Sequence, residues 1–284
     1  MTMLSRRELL AAGALAIPCL AGAGAVMQRA LAAEPSDAPA PATGPATPAQ
    51  EPAPVQVVQD PASRNWGFVV DTRNCIGCGL CVEACKDEND VPREAEYNRT
   101  WIERHTVTTS GQVFIESPEG GAAGFPAEPV TYAPIEGKVS ESLFVPRLCM
   151  QCQNPPCVSI CPVSATYRTA DGVVLVDQDK CIGCGYCVVS CPYGARYLVP
   201  SGGDSPTGNA GVADKCTWCY HRITKGGLPA CVEICPTRAR NFGDLDDPES
   251  SVSKLMNEEL TTSPRQSEGT RPRVRYIGLP AGEL

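Results

Sequence analysis

Residues 148–192 read LCMQCQNPPCVSICPVSATYRTADGVVLVDQDKCIGCGYCVVSCP, and the architecture of the chain is organised around this stretch. Its second half contains the C-x2-C-x2-C-x3-C-P run that holds cuboidal iron–sulfur clusters, at Cys181, Cys184, Cys187 and Cys191. The first half repeats the pattern with two extra residues, at Cys149, Cys152, Cys157 and Cys161. Three thiolates in one tight loop can hold three irons of one cube, and the fourth reaches a neighbouring cube. The tandem blocks therefore predict a pair of clusters.

Two further cysteine blocks flank this stretch. The upstream block keeps the compact spacing at Cys75, Cys78, Cys81 and Cys85, although Lys86 stands where the other blocks have proline. The downstream block contains Cys216, Cys219, Cys231 and Cys235, followed by Pro236. The segments VVDTRNCIGCGLCVEAC (69–85) and LVDQDKCIGCGYCVVSC (175–191) align without a gap. This internal similarity indicates duplication of a small cluster-binding unit.

The cysteine count supports iron–sulfur chemistry over its alternatives. The chain has 17 cysteines, and the four blocks use all of them except Cys19. Sixteen thiolates supply four ligands to each of four [4Fe–4S] clusters. Disulfides are common in exported cysteine-rich chains, but they do not require this spacing. Zinc prefers two separated C-x2-C pairs, a pattern that residues 216–235 alone satisfy. Zinc and disulfides therefore stay open as weaker alternatives.

The first 33 residues resemble an export signal. Ser5, Arg6 and Arg7 precede an apolar run that is rich in alanine and glycine, and a small-residue cleavage site follows at residues 30–32. The paired arginines predict the twin-arginine pathway, which carries folded proteins and so delivers clusters that were assembled before export. Cys19 lies inside the apolar run, and we interpret it as a small apolar residue of a removed peptide.

Residues 34–63 form a linker with eight prolines and almost no large apolar side chains, a composition typical of disordered segments. The folded part begins near residue 64, and its predicted class is α+β. We expect two nested ferredoxin-like dicluster modules with an insertion and an extended tail. The predicted boundaries are 64–104 with 212–245 for the outer module, 105–145 for the insertion, 146–211 for the inner module and 246–284 for the C-terminal helix and tail.

Short local patterns predict individual elements. Residues 66–71 and 172–177 are β-branched runs that predict strands entering cysteine blocks, and residues 113–115 predict a hairpin strand. Residues 241–248 suggest a turn, and residues 250–260 suggest a short helix. The alternating arginines of the tail, Arg271, Arg273 and Arg275, suggest a solvated strand edge or an arm lying on another subunit.

Charge and composition exclude several functions. The formal net charge is −8, and no basic stripe is present to neutralise phosphates, so nucleic-acid binding is disfavoured. No nucleophile–base pair or phosphate loop is evident, so we expect the chain to perform no catalysis of its own. His105 and His221 are the only histidines, and for His221 we expect a surface hydrogen bond. Four cations close to cysteines could raise cluster potentials: Lys180, Lys215, Arg196 and Arg222.

The segment quoted at the start and DKCTWCYHRITKGGLPACVEICPTRARNFGDLDDP (214–248) resemble the four-cluster iron–sulfur subunits of the dimethyl sulfoxide reductase family. Among its branches, the chain resembles exported subunits of tetrathionate, polysulfide or arsenate reductases and the periplasmic iron–sulfur subunit of a sulfite-reductase-associated membrane complex. The resemblance implies a ligand pairing in four sets. Set 1 is Cys75, Cys78, Cys81 and Cys235; set 2 is Cys216, Cys219, Cys231 and Cys85; set 3 is Cys149, Cys152, Cys157 and Cys191; set 4 is Cys181, Cys184, Cys187 and Cys161.

The resemblance also implies a location and partners. It implies a periplasmic electron-transfer subunit that connects a membrane quinol-interacting subunit with a molybdopterin or cytochrome subunit. Some family members replace one ligand with tryptophan, but here Trp218 lies between Cys216 and Cys219 and every ligand position is cysteine. A stand-alone soluble polyferredoxin is the alternative from another class. The insertion and the long tail argue against it, because a free carrier needs neither.

Overall fold

The structure is a computed structural model that describes residues 64–129, 137–200 and 210–279. The predicted export signal with Cys19 and the predicted linker lie outside the described residues. Strands and short helices alternate along the described chain in the following order: β1 (Trp66–Asp71), α1 (Leu80–Asn89), β2 (Thr100–Thr108), β3 (Val113–Glu116), β4 (Val139–Leu148), α2 (Pro156–Ser159), β5 (Thr166–Arg168), β6 (Val174–Val176), α3 (Tyr186–Val189), β7 (Tyr197–Leu198), β8 (Ala213–Asp214), α4 (Tyr220–Ile223), α5 (Ala230–Glu233), β9 (Arg240–Asp244), α6 (Ser251–Glu258) and β10 (Val274–Ile277).

The first sheet joins the two ends of the folded region. Its central strand is β1, all six residues of which are buried, as expected for a short apolar run covered on both faces. Strand β9 pairs antiparallel with β1, and β10 pairs parallel with it on the other side. The strand predicted at residues 66–71 is therefore present, and it places the first cysteine block beside the segment that follows the last one.

At the C-terminal end one local prediction is wrong and another is right only in part. Residues 240–244 form strand β9 instead of starting a turn, because Phe242 packs into the core against Trp66 and Phe68. The alternating tail does form a strand at the edge of the sheet, β10, where the half-buried Arg273 and Arg275 flank the buried Val274, but this edge is partly covered because Thr262 pairs with Tyr276. The helix predicted at residues 250–260 is present as α6, and the Ser250 hydroxyl accepts a hydrogen bond from the Ser253 amide at its N-terminus.

The second sheet has the order β3-β2-β4, and each of its three strands includes residues of the predicted insertion. The hairpin strand predicted at residues 113–115 is present as β3. Strand β2 begins at Thr100, so this sheet extends across the expected boundary at residue 105. The loop after β3 packs onto the first cysteine block at Gly79, which has a φ of 79°. A Cβ atom there would lie 2.1 Å from the Ala122 carbonyl oxygen, so this close approach requires glycine.

The largest hydrophobic cluster combines apolar side chains with buried cysteines from three of the four blocks. Trp218, Tyr276 and Phe68 are the largest fully buried side chains in the described part of the chain. Helices α2, α3, α4 and α5 have only four residues each, so they gain little stability from their own hydrogen bonds. Among the described residues, no helix has the length and apolar character needed to cross a membrane.

Candidate iron–sulfur centres

All sixteen cysteines of the four blocks are described, and all are free thiols. Cys78 and Cys184 are exposed, and the others are buried or half-buried. The short helices bring distant blocks together, because α1 packs against α5 and α2 packs against α3. Helix α1 carries Cys81 and Cys85, whereas α5 carries Cys231. The first and last blocks are therefore neighbours in space.

The four cysteines of set 2 line one cavity. These are Cys85, Cys216, Cys219 and Cys231. The Asn89 amide donates long hydrogen bonds to the sulfurs of Cys85, at 3.6 Å, and Cys219, at 3.7 Å. Burial raises the pKa of Cys85, and the neighbouring Cys216, Cys231 and Cys219 raise it further.

The four cysteines of set 3 line a second cavity. Cys149, Cys152 and Cys157 come from one block, and Cys191 comes from the next block along the chain. Burial raises the pKa of Cys152 to about 12, and the other three thiols of the set contribute to the rise. Each of these four thiols makes it harder for the others to lose a proton. A positively charged metal group would stabilise the four thiolates together.

The cysteines of set 1 affect one another's pKa values. Burial raises the pKa of Cys75 to about 11, and Cys81 and Cys235 add to the rise. Burial also raises the pKa of Cys81, where Cys78 and Cys235 contribute. The exposed Cys78 lies in the loop that the insertion covers at Gly79.

Set 4 lies at the packed pair of helices α2 and α3. Helix α3 carries Cys187, and α2 ends two residues before Cys161. Cys187 and the half-buried Cys181 belong to one small apolar cluster, and the Cys181 sulfur accepts a hydrogen bond from the Ala213 amide at 3.3 Å. Burial raises the pKa of Cys161, but hydrogen bonds from the backbone of Thr166 and its neighbours outweigh this, so its pKa is lowered.

The charges of thiols in neighbouring sets interact with each other. Burial raises the pKa of Cys231 in set 2, and Cys81 of set 1 raises it further. In the same way burial raises the pKa of Cys216 to about 12, with a further contribution from Cys149 of set 3. Cys157 of set 3 shares its apolar cluster with Cys187 of set 4. Cysteines of sets 1, 2 and 3 also share the largest hydrophobic cluster, so neighbouring sets lie close together.

Several buried donors at these cavities lack a hydrogen-bond partner among the described residues. They are the indole nitrogen of Trp218 and one guanidinium nitrogen each of Arg196 and Arg240. Trp218 lines the set 2 cavity and Arg196 lines the set 3 cavity. A buried donor without an acceptor costs about 1–3 kcal/mol. Thiolate-ligated clusters would supply sulfur acceptors and negative charge there, so the residues present fit iron–sulfur clusters.

The cations and histidines singled out in the sequence occupy two kinds of environment. Lys180 and Arg222 form ion pairs at the surface, Lys180 with Asp177 and Arg222 with two glutamates. Lys215 and Arg196 are buried. His221 contacts the Glu88 carboxylate at 2.6 Å, which confirms the expected surface hydrogen bond.

Sequence reasoning missed Arg240, which is buried beside set 1. A signal for it exists, because Cys191–Arg196 and Cys235–Arg240 both follow the pattern C-P-x-x-A-R. Each arginine is thus the fifth residue after the last cysteine of its block. The pattern could have identified Arg240 as the duplicate of Arg196.

Lys86 has a structural role in place of the usual proline. It lies inside α1, which continues to Asn89. Its ammonium donates hydrogen bonds to three loop carbonyls, those of Pro92 at 2.9 Å, Glu94 at 3.1 Å and Tyr97 at 2.9 Å. A proline would interrupt the helix at this point, so the lysine permits the longer helix of the first block.

Comparison with protein families gives two matches of the same kind. Residues 74–165 match one model of a 4Fe-4S dicluster domain, and residues 140–245 match another. Two dicluster domains correspond to four [4Fe–4S] clusters, and the sixteen described cysteines are the number of thiolates that four such clusters require.

Curated relatives match over most of the chain. A protein of Halobacterium salinarum described as an iron–sulfur subunit of dimethyl sulfoxide reductase is 41% identical, covering 75% of this chain and 79% of the relative. A tetrathionate reductase subunit of Salmonella typhimurium is 37% identical, covering 75% and 72%. A polysulfide reductase chain of Wolinella succinogenes is 34% identical, covering 76% and 95%. This protein is therefore a member of the family of 4Fe–4S dicluster proteins that serve as the non-catalytic, electron-transfer iron–sulfur subunits of dimethyl sulfoxide, tetrathionate and polysulfide reductases.

Proposed function

We propose that this chain is a periplasmic electron-transfer subunit that relays electrons through four [4Fe–4S] clusters between two partner subunits. One partner is a membrane subunit that interacts with quinone, and the other is a molybdopterin catalytic subunit or a cytochrome, in respiration on sulfur compounds. The observation that carries the proposal is the closeness of the four sets, since cysteines of sets 1, 2 and 3 share one hydrophobic cluster and cysteines of sets 3 and 4 share another. Each cluster supplies reversible one-electron chemistry when it is bound.

The proposed ligands are the four sets of cysteines. The cavities that all four cysteines of set 2 and all four of set 3 line support the assignment of those sets. Mutual effects among the thiols support set 1, and the packing of α2 against α3 supports set 4. The chain's own part is to hold the thiolates, to exclude water from sets 2 and 3, and to direct hydrogen bonds at sulfur.

We propose that the two modules are nested, with sets 3 and 4 in the inner module and sets 1 and 2 in the outer one. Pairing of β1 with β9 supports this arrangement, because it joins the segment before the first block to the segment after the last. The contact of α1 with α5 supports it as well, since these helices carry Cys85 and Cys231 of set 2.

Docking at both ends of the cluster array is supported by exposed apolar side chains. Around set 4, Val189 is 89% exposed and Ile182 is 63% exposed. Around set 1, Ile76 and Ile234 are exposed in the same way. Single exposed apolar residues are ordinary, but groups of them beside the exposed Cys78 and Cys184 fit surfaces that a partner subunit covers.

The proposed location depends on the export signal at residues 1–33. Substituting Arg6 and Arg7 together by lysine should retain the full-length holoprotein in the cytoplasm. A matched Arg29→Lys change in the same segment should leave export unaffected. Equal export of both variants, measured by cell fractionation, would contradict the twin-arginine route.

The experiment for the relay is anaerobic purification of the full chain from its native membrane under mild conditions. Iron analysis should give about sixteen irons per chain. Cys231→Ala should remove the cluster of set 2, lowering the count by up to about four irons, whereas Cys19→Ala should leave it unchanged. Copurification with a quinone-interacting or redox-active subunit is expected. A holoprotein that emerges free and monomeric would favour a stand-alone polyferredoxin.

A further inference from the structure

Three buried cations lie at the three junctions between neighbouring cysteine sets. Six cationic side chains are buried in the described part of the chain. Arg104 and Arg147 pair with carboxylates, and Lys86 is held by three loop carbonyls. The other three are Arg240, Lys215 and Arg196, which are 2%, 0% and 4% exposed, and none of them has a carboxylate partner among the described residues.

Arg240 lies at the junction of sets 1 and 2. Its guanidinium donates to the Thr100 hydroxyl at 2.8 Å, and Thr100 lines the set 2 cavity. The guanidinium also donates a hydrogen bond to Cys81 and interacts with Cys231 and Cys75. Two of these thiols belong to set 1 and one to set 2, so this cation faces both sets.

Arg196 has the equivalent place between sets 3 and 4. It lines the set 3 cavity and donates to the Thr166 hydroxyl at 3.2 Å. Burial lowers the pKa of Arg196, but the charges of Cys157 and Cys149 in set 3 and of Cys187 in set 4 raise it above its usual value. The Thr166 bond matches the bond from Arg240 to Thr100, so the two modules repeat the same local arrangement.

Lys215 lies at the central junction, between sets 2 and 3. Its ammonium donates to two carbonyl oxygens, that of Cys216 at 2.8 Å and that of Val174. Cys216 lines the set 2 cavity and Val174 lines the set 3 cavity. Gln151 joins the same two residues, donating to the Cys216 carbonyl at 2.9 Å and accepting from the Val174 amide at 2.7 Å. The lysine is therefore fixed in the wall that separates the two cavities.

An uncompensated buried charge costs several kcal/mol, so three such cations need anionic partners. The clusters can supply them, since an oxidised cube with four thiolates carries roughly two negative charges and gains a third on accepting one electron. We infer that Arg240, Lys215 and Arg196 are junction cations, each of which stabilises the reduced form of both clusters that it separates. This inference rests on the proposed function, because it requires clusters in all four sets.

Burial explains why the central clusters need two such cations each. The cysteines of set 2 are all buried, as are three of set 3, whereas sets 1 and 4 each contain one exposed cysteine. Burial disfavours the more negative, reduced cube and so lowers its potential. A cation on either side of sets 2 and 3 opposes this effect. If clusters occupy two neighbouring sets, the cation between them would lie beside both, so it would stabilise the reduced form of either one.

The test is a redox titration of the full-length holoprotein, followed by electron paramagnetic resonance, which resolves individual clusters. Arg240→Gln should lower the reduced-to-oxidised ratio at fixed potential at least tenfold for the clusters of sets 1 and 2. A tenfold change corresponds to about 59 mV for one electron. Arg196→Gln should do the same for sets 3 and 4, and Lys215→Met for sets 2 and 3. Lys180→Gln is the matched control, because Lys180 is adjacent to Cys181 but is exposed and paired with Asp177.

Charge-conserving variants separate electrostatics from packing. Arg240→Lys and Arg196→Lys should retain clusters and should keep the potentials closer to wild type than the glutamine variants do. If a glutamine variant does not hold iron, a normal iron content in the lysine variant at the same position shows that the positive charge is what is needed. Equal loss of iron in the glutamine and lysine variants overturns the inference. Reduction potentials that do not change in the glutamine variants, or that change for only one cluster, overturn it as well. A wild-type protein with far fewer than about sixteen irons would instead overturn the proposed function.

Discussion

Arg99 and Asp214 form a bidentate ion pair in which two guanidinium nitrogens each lie 2.8 Å from a different carboxylate oxygen. Both side chains are mostly buried, and Arg99 lines the set 2 cavity. The Tyr197 hydroxyl also donates to Asp214. Arg99 is thus a cation beside a cluster cavity that has a carboxylate partner, whereas the junction cations have none. The ion pair also ties the strand before the last cysteine block to the segment before β2.

Asp214→Asn should therefore destabilise the holoprotein, because it leaves Arg99 buried without its counter-charge. We expect a loss of about 3 kcal/mol in the free energy of unfolding. The measurement is anaerobic urea unfolding followed by tryptophan fluorescence. Asp179→Asn is the control, since Asp179 is exposed and lines the same surface cleft as Asp214. Equal effects of the two substitutions would show that the ion pair does not stabilise the fold.

Glu103 makes a contribution to the free energy of unfolding that depends on pH. Burial raises its pKa, but hydrogen bonds from His105, Arg147 and Trp101 and the charge of Arg147 lower it to about 2. Because the pKa is lower in the folded state, the stabilisation is complete above the unfolded pKa, near 4.5, and is lost as the pH falls towards 2. Glu103→Gln should cost on the order of 2–3 kcal/mol at neutral pH, and the difference from wild type should shrink below about pH 4.

Unfolding in urea at a series of pH values measures this difference for Glu103→Gln. Glu141→Gln is a suitable control, because Glu141 is exposed on strand β4 of the same sheet. A gap between wild type and Glu103→Gln that stays constant down to about pH 3 would contradict the prediction.

Lys86 tests whether the first block needs its longer helix. Lys86→Pro, which restores the proline of the other blocks, should cost about 3 kcal/mol or more because it interrupts α1. Lys86→Met keeps the helix but leaves three carbonyls without their donor, so we expect a smaller loss of about 1–3 kcal/mol. Thermal unfolding of the holoprotein compares them with Lys225→Met at an exposed site. A Lys86→Pro variant as stable as wild type would mean that α1 tolerates a break after Cys85.

Gln151 should be important for the wall between sets 2 and 3. Gln151→Leu leaves the Cys216 carbonyl and the Val174 amide without this side chain as partner, and we expect a loss of about 1–3 kcal/mol. Gln153→Leu, two residues away and exposed, should change stability by less than about 0.5 kcal/mol. The rate at which visible iron–sulfur absorption disappears in urea is a second readout. If both variants lose their clusters at the wild-type rate, Gln151 does not support the wall.

The cysteine spacing by itself determined the chemistry of this protein. Four blocks of four thiols are a local signal, because the loops that wrap iron need their ligands at fixed separations along the chain. Strand β1, strand β3 and helix α6 were also predictable, since each depends on a short apolar run or a capping serine. The family followed from the same residues.

Only the tertiary structure decided which charges are buried and where the sets meet. Nothing local distinguishes Lys180 from Lys215, since each precedes the first cysteine of its block. Lys180 is nevertheless exposed and paired with Asp177, whereas Lys215 is buried and donates to the carbonyls of Val174 and Cys216. Strand β9 and the strand partner of β10 were missed for the same reason. Their residues look like a turn and a charged tail until β1 provides the edges on which they pair, and such pairing depends on contacts between residues far apart in the chain.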